Sequence, residues 1–389
     1  NSNNSPGVDH EPPVMLYYGC GESGELFLHY SEPLGTADLD REDFLLRPGS
    51  VFPLEVLLSQ PLATRLKLRF QEDLQERQQY RLELPILSDC QGNASQKEIL
   101  RGGKILPPAY GAIIINEIMY DPLDGFPEFI ELYNPGPGYL DLQDLAIQLT
   151  ETGAPPDHPL GLSKQSRICL PGQFLVLTAC APWLEEAYGL YPSGSWVELE
   201  AMPGMKNTGA TVYLTDRSGS LVDQASYSDH MHMDLLNDTK GISLERISVD
   251  RPGSEPGNWH SAASISGYAT PGEENSQALD QFAANEVLEV DPAVFSPDND
   301  GFQDLLKISI STGAQSWVIS LWISDLSGVM VRQLANNHIA GPSALYSWDG
   351  ENKDGHMVSA GFYVVHFRAY HPVSGEEWRK RRAIGLMYR

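Results

Sequence analysis

Short runs in which apolar residues alternate at a period of two restrict this chain more than any other feature. "ELFLHYSEPL", "RLKLRF", "YRLELPILSDCQGN", "LLKISIST" and "GFYVVHFRAY" each hold a strand-length alternation, with turn residues lying between one run and the next. Such a run gathers its hydrophobic side chains on one side only when extended, so it needs a second sheet to cover that side. The 35 glycines and 28 prolines fall between these runs and form no repeat of their own, which makes them turn residues of a β protein. A chain of 389 residues exceeds one hydrophobic core. At about 100–200 residues per domain it divides into two to four domains.

Charge and hydropathy exclude more than they assign. With 52 acidic against 26 basic residues and a formal charge of −26, the surface repels phosphate backbones, so nucleic acid is not an expected partner. No run approaches the roughly 20 apolar residues of a membrane helix, so no transmembrane segment is expected. The start "NSNNSPGVDHEPP" is polar, residues 1–13 are expected to be disordered, and any export signal is expected to have been removed already. Cys20, Cys90, Cys169 and Cys180 form no CxxC and pair with no nearby histidines as zinc ligands do. Their even number suits disulfides in an oxidising compartment, with four reduced thiols as the alternative.

Three segments carry resemblances to known families. Residues 14–108 contain "LFLHYSEPL", the pair Asp43 and Phe44, a "Y.L.L" strand and a closing turn with Asp89, Gly92 and Asn93. This resembles bacterial Ig-like domains of the S-layer type. In that fold the first and last strands lie close, which implies a Cys20–Cys90 bridge; a Cys169–Cys180 bridge is the second expectation. The glycine- and proline-rich "RGGKILPPAYG" then gives way to "IIINEIMYDPLDGFPEFIELYNPG", followed in order by "LPGQFLVLT", "GATVYLTDRSGSLVDQASY", "KGISLERI" and "NWHSAASISGYATPGEENS". Residues 109–276 thereby resemble the lamin tail domain in its bacterial secreted form, which implies an Ig-like sandwich used as an accessory module on exported proteins. After a polar linker, "FSPDNDG", "WISDLSGVMVRQL" and "WDGENKDGHMVSAGFYVVHF" within 277–389 resemble the FlgD-like Ig domain and the gliding-motility-type C-terminal domains of Bacteroidetes exported proteins. The expected fold class is therefore all-β, three Ig-like β-sandwich domains in tandem.

Candidate chemistry is sparse. "SDHMHMD" spaces Asp229, His230, His232 and Asp234 at intervals that, on a strand, would put both histidines on one face, a two-ligand arrangement or an ordinary surface loop. Glu117, Glu128, Glu131, Asp121 and Asp124 make an acidic group, but alternation sends Glu128 and Glu131 to opposite faces. That favours structural hydrogen bonds to turns over paired acid–base catalysis. No GxSxG, HExxH or GxxxxGK[ST] occurs, and no catalytic residue is assigned. The seven tryptophans suit buried positions, with a sugar platform as the alternative.

"FSPDNDGFQD", residues 295–304, leaves two readings open. Placing Gly301 at the sixth position of an EF-hand would put Lys307 at the twelfth, so it is not one. Phe295 is expected to plug a core and Gly301 to permit a tight turn. Asp298, Asp300 and Asp304 then either cap the turn themselves or hold calcium, the one cofactor considered. The chain is expected to be a non-catalytic, exported scaffold or stalk at the cell surface, monomeric, meeting a protein or glycan ligand through loops and sheet edges. The alternatives are an adhesin and a metal-dependent hydrolase.

Overall fold

The computed structural model describes residues 10–21, 24–35, 39–59, 62–71, 80–103, 105–150, 159–188, 195–279, 287–313 and 317–388. Of the expected disordered start only residues 10–13 are among them, and positions 280–286 of the expected linker lie outside. The fold is all-β, three Ig-like β sandwiches in tandem. Among the described residues no helix is long and apolar enough to cross a membrane.

In the first sandwich a four-stranded sheet, in the order Met15–Cys20, Glu25–Tyr30, Arg65–Arg69, Glu55–Leu58, faces a three-stranded one, Leu45–Arg47, Tyr80–Leu84, Glu98–Gly102. The strand Tyr80–Leu84 shows how the alternation works. Tyr80, Leu82 and Leu84 are buried while Arg81 and Glu83 stay exposed, and each buried leucine contributes on the order of 1.5–3 kcal/mol. Phe44, Leu28, Leu66 and Leu68 fill the space between the sheets, and the same cluster takes in Tyr139 and Ile168 from beyond residue 108. The first core thus continues into the middle sandwich. Gly19 sits at the crossing: a Cβ there would stand 2.0 Å from the Ser166 carbonyl oxygen, so only glycine fits. The next amide, Cys20 N, donates to Ser166 Oγ at 2.8 Å.

The middle sandwich sets a six-stranded sheet against a four-stranded one. The larger runs Trp196–Glu198, Phe174–Thr178, Phe129–Tyr133, Ile114–Met119, Leu244–Arg246, Trp259–Ser261. The smaller runs Leu160–Gly161, Leu145–Thr150, Ala210–Asp216, Leu221–Tyr227. Every residue of Ile114–Met119 is buried. One face carries Ile115 and Ile118 into the main core, while the other carries Met119 into a smaller cluster with Phe129, Val176, Leu184, Trp196 and Ala269. That outer face is covered by the helix Ala181–Tyr188 and by residues 262–277, which hold no strand. Between the sheets Arg246 Nη1 meets Asp223 Oδ2 at 2.8 Å, both side chains 3% exposed. Three further guanidinium donors go to the carbonyls of Ile115, Ser248 and Arg251. Extra hydrogen bonds of this kind are what allow a charge pair to lie so deep.

The third sandwich packs the sheet Leu288–Asp291, Leu306–Ser311, Ser343–Trp348 against the sheet Val294–Phe295, Glu377–Leu386, Gly361–Tyr370, Trp317–Asp325, Met330–Ala340. The last strand, an edge, is 11 residues long; its pairing with Trp317–Asp325 slips at three points, and Asn337 has a φ of 51°. Phe295 is fully buried, with its ring centroid 5.4 Å from that of Trp348.

The cysteines require a correction. No disulfide joins any of the four, so the expected Cys20–Cys90 and Cys169–Cys180 bridges are not the arrangement found. Cys20 closes a strand whose amide is tied to Ser166, whereas Cys90 sits in a turn with Sγ near the carbonyls of Pro33 and Leu34. Cys169 points into the main core, where burial pushes its thiol up to about 12, and Cys180 directly precedes the helix.

Phe295 is the most economical probe of the third core. Phe295→Ala should remove about 3–5 kcal/mol from the unfolding free energy of that sandwich, read as a lower denaturant midpoint in the transition reported by Trp348. An unchanged midpoint would mean the side chain is not part of the core.

Candidate functional site

Three apolar strands each carry a glutamate that interrupts the pattern: Glu131 in "FIELY", Glu117 in "IINEIM" and Glu245 in "LER". Pairing sets Glu131 opposite Glu117 and Glu117 opposite Glu245, a row across three neighbouring strands on the outer face. All three are 0% exposed. Their partners come largely from residues 262–277, a strap laid over the sheet. Glu117 Oε1 accepts from Thr270 N at 3.0 Å and from Ser243 Oγ. Glu131 accepts from Gly272 N at 2.5 Å and Asn116 Nδ2 at 2.8 Å. Glu245 accepts from Thr270 Oγ1, Ser276 Oγ and Gln277 N at 2.8–2.9 Å. The strap makes no ladder, and buried amides need acceptors, so the carboxylates act as the missing strand.

Three carboxylates in one dry row cannot all stay ionised. Burial, followed by the neighbouring Glu245, pushes Glu117 up to about 8; burial and then Glu117 raise Glu131; burial raises Glu245. Thr270 Oγ1 has one proton to give and lies nearer Glu245 (2.8 Å) than Glu117 Oε2 (3.4 Å). The longer contact therefore suits a protonated Glu117 as donor.

The other expected residues do not converge. Glu128 lies before its strand and accepts from Met205 N at 3.0 Å, while Asp124 pairs with Lys240 at 2.6 Å. Asp229–Met231 is a 3-10 turn, not a strand. His230 is exposed, whereas His232 is buried with Nδ1 2.9 Å from Ser261 Oγ, and burial lowers its ring to about 4. Asp234 reaches the third sandwich, 3.6 Å from His356.

"FSPDNDGFQD" is brought together by the fold. One oxygen each of Asp298, Asp300 and Asp304 lies within 4.8 Å of the others. Asp300 Oδ1 takes the Phe302 amide and Asp304 Oδ2 the Gly301 amide, both at 2.8 Å, as a self-capping turn would. The loop also docks on the strap. Ser264 N donates to Asn299 O and Asn299 Nδ2 to Ala262 O, each at 2.9 Å. Gln277 Nε2 donates to Asp304 Oδ2 at 3.0 Å. A Cβ on Gly301 (φ 90°) would meet Ile265 Cγ2 at 2.5 Å. The buried glutamates thus hold the strap, and the strap holds the third sandwich.

Comparison with known proteins agrees with the middle of this picture. Residues 107–229 match the lamin tail domain family, and the chain is similar to that family over this span. Glu245 and the strap lie beyond it. No curated protein matches the chain. Similar solved structures include the N-terminal part of the bacterial S-layer protein SbsC (10% identity, 56% of this chain, 44% of that chain, TM-score 0.23). A second is dimeric latent PorU from Porphyromonas gingivalis (9% identity, 96% of this chain, 33% of that chain, TM-score 0.21). A third is native alpha-2-macroglobulin from Escherichia coli (10% identity, 95% and 96%, TM-score 0.20). The chain spans about half the length of the SbsC structures it matches.

A raised carboxyl pKa has a definite sign. Its stabilisation is present below the unfolded value of 4.5 and is lost as pH climbs through the folded value, about 8 for Glu117. His29 and His232, both lowered to about 4, act oppositely, gaining stability up to 6.5. Above that the carboxyls dominate. Urea melts of the whole chain should show stability falling between about pH 6.5 and pH 8, with a shallower slope in Glu117→Gln. Equal slopes in the two proteins would remove Glu117 as the source.

Proposed function

We propose that the chain is a non-catalytic, exported scaffold or stalk at a bacterial cell surface, its three Ig-like sandwiches dividing near residues 108 and 276, and its loops and sheet edges meeting protein or glycan ligands. The observation that carries this reading is the use made of the strongest acid–base candidates. Glu117, Glu131 and Glu245 are wholly buried and spend their oxygens on the strap's own donors, so a substrate has no route to them. Similarity to the lamin tail domain supports an accessory role, and the acidic surface suits a soluble exported module. The expected outcome is labelling of the chain by antibody on intact producing cells, together with no turnover in a broad hydrolase screen with and without divalent metals. Turnover that disappears in Glu131→Gln or His232→Ala would overturn the reading.

An adhesin is favoured by one observation. A cleft of about 570 Å3 at the first joint is lined by Tyr17, His29, Arg167 and Trp196. Trp196 Nε1 and His29 Nε2 are buried there without partners, so a ligand offering hydrogen-bonding oxygens would satisfy both. On a glycan array the adhesin reading expects binding that Trp196→Phe weakens by about tenfold, the worth of one hydrogen bond to a buried donor.

A further inference from the structure

We propose that Asp298, Asp300 and Asp304 bind a calcium ion that locks the third sandwich onto the strap of the middle one. The inference stands apart from the scaffold reading and holds equally for an adhesin.

The first ground is the state of the carboxylate oxygens. The turn aspartates Asp89, Asp216 and Asp325 leave no buried oxygen without a donor: Asp89 takes the amides of Gln91 and Asn93, Asp216 those of Ser218 and Ser220, and Asp325 that of Val329. In the 295–304 loop Asp298 Oδ2 takes Ser296 Oγ and Asp304 Oδ2 takes Gly301 N and Gln277 Nε2. The Oδ1 atoms of Asp298 and Asp304 are nevertheless buried and accept nothing, and Asp304 is only 3% exposed. Leaving a buried acceptor unpaired is costly, the more so when it is charged. Three carboxylates gathered within 4.8 Å add mutual repulsion. A self-capped turn explains the paired oxygens and leaves these two unexplained. A cation accounts for both.

The donor set selects the cation. Every side-chain ligand in the cluster is a carboxylate oxygen, with no histidine or cysteine among them, which turns away zinc and the softer metals. Ligands on opposite sides of a calcium ion stand about 4.6–5.2 Å apart, twice the usual Ca–O distance, and the 4.8 Å spread fits inside that sphere. Magnesium takes one or two carboxylates in a stricter octahedron and keeps its waters. Three carboxylates, with water and backbone carbonyls completing the shell, suit calcium at the roughly 10⁻⁴–10⁻³ M affinity of extracellular modules.

The second ground is placement. The carboxylate of Asp304 has one oxygen on Gln277 of the strap and the other unpartnered in the cluster. Asn299, one residue after Asp298, carries the two bonds to Ala262 and Ser264. An ion that fixes Asp298 and Asp304 therefore fixes the groups that make the joint, and calcium occupancy and joint closure favour one another.

The test uses the full chain, first stripped with a chelator and then titrated with calcium from about 10 µM to about 10 mM. Thermal unfolding and hydrogen exchange are followed together. One unfolding transition should rise by about 5 °C for each tenfold of calcium above the dissociation constant. Exchange should slow in peptides covering 262–277 as well as 296–304, and magnesium at equal concentration should do far less. Asp304→Asn keeps an oxygen for Gly301 N and Gln277 Nε2 but puts an NH2 where the ion would sit, so it should stay folded and lose the calcium response. Asp298→Asn serves as the second variant and should behave alike. No shift and no added protection in the wild type would overturn the site. A shift that survives in both variants would place the ion elsewhere and overturn it too. Protection confined to 296–304 would overturn the locking role.

Discussion

Backbone amides buried outside any ladder need an acceptor, and in this molecule three glutamates supply it. Leucine or valine at positions 117, 131 and 245 would pack well against the strap's apolar atoms but would leave Thr270 N, Gly272 N and Gln277 N without partners. The six-stranded sheet can therefore be covered by irregular chain only because its outer face is polar where the strap crosses and apolar where the helix packs. The arrangement leans on Coulombic tension, since burial raises all three carboxyls and three acids in one dry row cannot all ionise together.

The two joints of the chain are built from different physics. At the first, Tyr139 and Ile168 of the middle sandwich belong to the first sandwich's own core, and the backbones approach so closely that Gly19 admits no side chain. Apolar packing of this kind is non-directional, with the bond from Cys20 N to Ser166 Oγ beside it. At the second joint the contacts are directional: Asn299 and Gln277 amides, the Asp234–His356 pair, and Glu351, which burial and Asp349 push up to about 8. Two neighbouring connections in one chain thus differ in their response to solvent conditions.

The sheets were legible in the sequence because a period of two has only one structural meaning, as Tyr80–Leu84 shows residue by residue. Phe295, at the head of a turn and not in an alternating run, was legible as a core residue from its place in "FSPDNDGFQD". The glutamate row was half legible: Glu117 and Glu131 stood out as acids in apolar strands, but Glu245 in "ISLERI" sent the same signal and went unread. Only strand order, which no local pattern encodes, sets 131, 117 and 245 side by side. The three aspartates could be named from their spacing, but not which of their oxygens lack a donor, since that depends on Gln277 arriving from another sandwich. Cysteine parity misled for a related reason. An even count says nothing of where the thiols point, and Ser166 rather than Cys90 is the partner that the end of the first strand meets. The helix Ala181–Tyr188 is only eight residues long, too short for its periodicity to register.

The edge strand Met330–Ala340 bears on what a second copy of the molecule would meet at this side of the third sandwich. An 11-residue edge with a straight, unbroken row of free amides and carbonyls would be a template for the edge of the next copy. Here the three slips against Trp317–Asp325 and the left-handed turn of the chain at Asn337 rotate successive peptide groups out of line, and Lys353 N occupies the Val331 carbonyl. A second copy approaching this edge would meet a bulged strand in place of a straight template of eleven residues, which is how natural sheets blunt a long edge.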